Sequence, residues 1–69
     1  MITLYTSIRS TGRPTRTDVE IAFRDDERCK GMKLVEYTST VDQFRSNMDD
    51  YTAYHNLNAD WYDVQAVFE

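Results

Sequence analysis

Arg16-Thr17-Asp18-Val19-Glu20-Ile21-Ala22-Phe23-Arg24 is the stretch on which the fold turns. Val19, Ile21 and Phe23 alternate with Asp18, Glu20, Ala22 and Arg24. A period of two with β-branched and aromatic residues is the pattern of a strand with one wet face. Read so, residues 16–24 form the second of four strands.

The neighbours extend that reading. Ile2, Leu4, Thr6 and Ile8 alternate with Thr3, Tyr5 and Ser7, which predicts a first strand over 2–9. Arg9-Ser10-Thr11-Gly12-Arg13-Pro14-Thr15 is turn chemistry, with Gly12 free to take a positive φ and Pro14 unable to donate to a ladder. Asp25 to Gly31 is a polar connection. Met32 to Thr38 predicts a third strand, with Val35 and Tyr37 on one face and Met32 and Leu34 on the other. Its inward face stays open.

Thr40-Val41-Asp42-Gln43 has the form of a capping box, Thr at the N-cap and Gln three residues on. A helix over 41–55 would put Val41, Phe44, Met48 and Tyr51 on one stripe. Asn56-Leu57-Asn58 would end it. Tyr62, Val64, Ala66 and Phe68 alternate with Trp61, Asp63, Gln65 and Val67 as a last strand. The expected fold is α+β, in the order β-β-β-α-β: a mostly antiparallel sheet with one helix packed on one face. Tyr5 and Trp61 fall to the uncovered face.

Size and composition bound the rest. The chain has 69 residues, and a chain of this length buries about 60% of the surface of its unfolded form. That suits one small globular domain, 1–69, with one thin core. Cys29 is the sole cysteine, so no internal disulfide can form. Met1 to Tyr5 shows neither a basic n-region nor a long apolar h-region, and no apolar run reaches membrane-spanning length. The expectation is a cytoplasmic protein without a membrane partner. Its charge is uneven: residues 1–34 hold seven Lys/Arg against five Asp/Glu, a surplus of +2. Residues 35–69 hold one Arg against seven Asp/Glu, a surplus of −6. An acidic half disfavours duplex binding, which needs a basic footprint.

Catalytic groups are scarce. His55, the only histidine, follows the expected helix and has no nucleophile elbow or Gly-rich loop beside it. Cys29 sits between Arg28 and Lys30, which can lower a thiol pKa, but lacks a second Cys. One His and one Cys cannot build a structural zinc site, and Asp25-Asp26-Glu27 and Asp49-Asp50 lack calcium-loop spacing. The expectation is no catalytic residue, no metal and no cofactor.

Two features suggest binding. Acidic and aromatic residues alternate in the last third, and Asp49, Asp50, Tyr54, Asp60, Trp61 and Asp63 form the expected partner-binding patch. Exposed Trp and Tyr are typical anchors, and carboxylates around them can imitate nucleic-acid phosphates. The first reading is a non-enzymatic inhibitor or modulator of another protein with a basic surface. A nucleic-acid-handling enzyme fits, by analogy with compact phage-encoded host-takeover factors. Separately, Gly12-Arg13-Pro14 resembles the core of AT-hook minor-groove binders, with Thr11 where those have an arginine. That resemblance implies the alternative, an accessory protein touching nucleic acid through Arg9, Arg13 and Arg16. A third reading is a homo-oligomeric structural component, including a homodimer, using the uncovered sheet face.

Overall fold

The computed structural model describes residues 1–48 and 59–69. Its elements run β1 (Ile2–Ser10), α1 (Arg16–Ala22), a 3-10 turn (Glu27–Cys29), β2 (Leu34–Asp42), α2 (Gln43–Asn47) and β3 (Asp60–Phe68). The class is α+β: a three-stranded antiparallel sheet in the order β1-β3-β2 with short helices. Because β3 is antiparallel to both neighbours, β1 and β2 run parallel on either side of it. The segment between them, with α1, crosses one face.

The expected second strand is therefore a helix. Thr15 and Asp18 form a capping box: the Asp18 N–H donates to Thr15 Oγ1 at 3.3 Å, and the Thr15 N–H donates to Asp18 Oδ2 at 2.9 Å. Pro14 precedes the cap, and Arg16 pairs with Glu20 one turn on, at 3.3 Å. Val19 and Phe23, four residues apart, enter the core at 0% and 4% exposure, while Ile21 is left outside at 57%. Only two of the three alternating apolar residues face inward, as a helix requires.

The core lies between α1 and the sheet. It joins Leu4, Val19, Phe23, Cys29, Leu34, Tyr62, Val64, Ala66 and Phe68. Every second residue of β3 from Tyr62 onward is buried, as befits the central strand. Phe23 meets Phe68 edge to face, with ring centroids 5.3 Å apart. Cys29, expected in a charged loop, is buried through the 3-10 turn, and its thiol points at the Phe23 carbonyl at 3.7 Å. Gly31 follows with φ 80, the left-handed conformation that brings the chain into β2.

β2 carries the register surprise. A bulge between Leu34 and Glu36 pairs Leu34 with Phe68, Glu36 with Val67 and Tyr37 with Ala66. Leu34 and Tyr37 thereby share the core side, and Val35 is turned out at 46% exposure. Strict alternation had placed Leu34 and Tyr37 on opposite faces; the extra residue reverses this.

The second helix also differs. β2 runs on through Thr40 and Val41, which pair with Asp63 and Tyr62. The N-cap is Asp42, whose carboxylate accepts from the Arg45 N–H at 3.0 Å, and the helix closes at Met48. Phe44 and Met48, expected in the core, are 79% and 66% exposed. Tyr51 and the remainder of the expected helix lie outside the described residues.

A candidate interaction surface

Strand alternation decides what the second face of the sheet displays. On that face β1 presents Thr3, Tyr5, Ser7 and Arg9; β3 presents Trp61, Asp63, Gln65 and Val67; β2 presents Glu36, Thr38, Thr40 and Asp42. The register stacks them in rows: Tyr5–Gln65–Thr38, then Ser7–Asp63–Thr40, then Arg9–Trp61–Asp42. Tyr5 is 68% exposed, a large aromatic standing clear of any packing partner in the core. The first two rows enclose a shallow depression of about 480 Å³ lined by Tyr5, Ser7, Thr38, Thr40, Asp63 and Gln65. Hydroxyl, amide and carboxylate groups and one aromatic ring line it, together with Thr6 and Val64. Such a set recognises polar surface through hydrogen bonds around an anchor.

The third row is closed by α2. The Arg45 guanidinium lies 3.7 Å from the Trp61 ring centroid, and that of Arg9 lies 5.8 Å from it. Where β2 leaves the sheet, the Trp61 backbone N–H donates to Ser46 Oγ at 2.8 Å. Trp61 is consequently half-buried and fixed. The Ser7 hydroxyl makes a long contact, 3.4 Å, with Asp63 Oδ1 near the middle of the face.

The sequence-derived patch is brought together in part. Trp61 and Asp63 share the open face. Asp60 pairs with Ser10 in the opposite alternation, on the side of α1. Asp49, Asp50 and Tyr54 lie outside the described residues, as does His55. Pattern reading of β1 had already sent Tyr5 to this face; Thr38, Thr40 and Gln65 follow from the ladder register, which a lone sequence does not print. Two arginines beside Trp61 make that end less acidic than the composition of residues 35–69 suggests.

The three arginines of the alternative reading do not converge. Arg9 lies on the open face near Trp61. Arg13 donates to the carbonyl and hydroxyl of Ser39, and Arg16 donates to the Leu34 carbonyl. Both of these tie the crossover segment to β2. Among the described residues, no group of three or more His, Cys, Asp or Glu could hold a metal ion, and no helix is long and apolar enough to cross a membrane. Comparison with protein-family models, with curated proteins and with solved structures gives no match for this chain.

Proposed function

We propose that this chain is a non-enzymatic binding protein that modulates another protein by docking it on the open face of the sheet. The observation that supports this is the exposed Tyr5 near Asp63, in a shallow depression on the face opposite α1. Left 68% in water, Tyr5 buries little of its ring in the fold itself. Binding gives that ring a use, since a Tyr anchor supplies large contact area at low entropic cost.

The finer reading concerns the partner. The net charge of −4 and the exposed Asp63 favour a partner with a basic surface. An enzyme that handles nucleic acid has such a surface, and inhibition by occupying it is the mode proposed. The test is capture from a cell extract on immobilised protein, with and without nuclease. A partner retained after nuclease, released by raised salt, supports the reading. Loss of all captured material on nuclease treatment favours nucleic-acid contact instead.

A further inference from the structure

We infer that β1 is a self-pairing edge, and that a second copy of this chain adds to it antiparallel, making one continuous six-stranded sheet. The inference stands apart from the binding proposal, because such a dimer leaves the open face exposed on both copies.

The argument starts from which backbone groups are used. Lys33 and Glu69 exchange both of their backbone hydrogen bonds, at 2.7 and 2.9 Å. Glu69 therefore directs its N–H and C=O toward β2. In an antiparallel ladder these directions alternate residue by residue. Phe68, Ala66, Val64 and Tyr62 then direct theirs toward β1, where they pair with Ile2, Leu4, Thr6 and Ile8. It follows that Thr3, Tyr5 and Ser7 turn both backbone groups away from β3, to the free edge. All three residues are exposed, and no described residue hydrogen-bonds to those groups.

The two edges of the sheet are treated differently. By the same alternation Leu34 and Ser39 turn their carbonyls to the free edge of β2. There Arg16 and Arg13 occupy them, and the bulge at Val35 breaks the line. Bulges and inserted charge are the usual means of blunting an edge against pairing. β1 carries no bulge: it pairs with β3 over nine residues without a register shift, has no Pro or Gly, and holds a single charge, Arg9, near its end.

The chemistry of β1 is self-complementary. A two-fold axis at Thr6 sets Thr6 against Thr6 of the second copy, Leu4 against Ile8, Tyr5 against Ser7 and Thr3 against Arg9. The outward-directed groups of Tyr5 and Ser7 then meet in hydrogen-bonded pairs. Leu4 and Ile8 join the two cores in one apolar row, and the one charge on the strand never faces its own copy. A single strand pair buries less than the roughly 800 Å² per partner of a standard interface, so the dimer should be weak and reversible.

Sedimentation equilibrium of the full chain tests this. Wild type should show a reversible monomer–dimer equilibrium; a monomer throughout, up to about 1 mM, the weak end of specific association, overturns the proposal. Ser7→Pro removes one outward N–H without costing a β1–β3 bond, and should be monomeric with an unchanged circular dichroism spectrum. A dimer of undiminished strength in that variant overturns the proposal too. A cysteine pair decides the matter should Ser7→Pro fail to fold. On the axis, Thr6→Cys brings two Cα atoms to about 4.5 Å, within disulfide range, whereas Ser10→Cys places them at opposite ends of the strand pair. Under mild oxidation Thr6→Cys should cross-link at least tenfold faster than Ser10→Cys. Equal rates contradict the register and the axis.

Discussion

The guanidinium of Arg45, on α2, lies over the indole of Trp61, on β3, 3.7 Å from the ring centroid. This contact and the Ser46 hydroxyl at the Trp61 backbone N–H attach a five-residue helix to the end of the sheet. A helix so short has little stability of its own. Arg45→Ala should therefore cost about 0.5–1 kcal/mol, with part of the loss from stem packing on the ring. Urea melts of Arg45→Ala and wild type would check it, and coincident midpoints would contradict it.

Val19 and Phe44 distinguish the observed core from the one that helical spacing predicts. Val19 is 0% exposed beneath α1, and Phe44 is 79% exposed. Val19→Ala should cost about 2 kcal/mol in lost burial and residual cavity. Phe44→Ala should stay within about 0.5 kcal/mol of wild type. Denaturant melts in the order Phe44→Ala above Val19→Ala are expected; the reverse order would return the core to the α2 stripe.

Much of this architecture was legible in the residues, and the failures have physical reasons. β1 and β3 show clean alternation because each is covered on one side only. Residues 16–24 misled because Val19 and Phe23 satisfy a period of two and a spacing of four equally well. Thr15-Arg16-Thr17-Asp18 held the deciding signal, a capping box with Asp in the Glu position, directly after Pro14. Thr40 had the same form, yet the ladder with Asp63 keeps it in β2, so tertiary pairing overrode the local motif. The bulge at Val35 leaves no trace in composition. For the site, Tyr5, Trp61 and Asp63 were readable from strand parity. Asp60 had been grouped with them by charge, although parity assigns it with Tyr62.

Asp26 caps the 3-10 turn and pairs with Arg28 at 2.6 Å. Hydrogen bonds from the Arg28 side chain, then from its backbone N–H, hold the Asp26 carboxyl below its usual range. A carboxyl depressed in the folded state contributes stability above its unfolded pKa and loses it as pH falls through the folded one. The acid limb of stability, below about pH 4, should accordingly be shallower in Asp26→Asn than in wild type. Thermal melts from neutral to acid pH check this, and parallel limbs for the two proteins would contradict it.

The central claim is that the open face of the sheet holds a protein partner. Its most direct measurement is the binding kinetics of Tyr5→Ala and Asp63→Asn against the captured partner, with Ile21→Ser on the outer side of α1 as control. Tyr5→Ala should speed dissociation by a factor matching about 2 kcal/mol or more, the loss of a desolvated aromatic anchor. Asp63→Asn should slow association and flatten its salt dependence, since a carboxylate steers a basic partner. Ile21→Ser should bind as wild type does. Wild-type kinetics in both face variants, or a loss confined to Ile21→Ser, would contradict the claim.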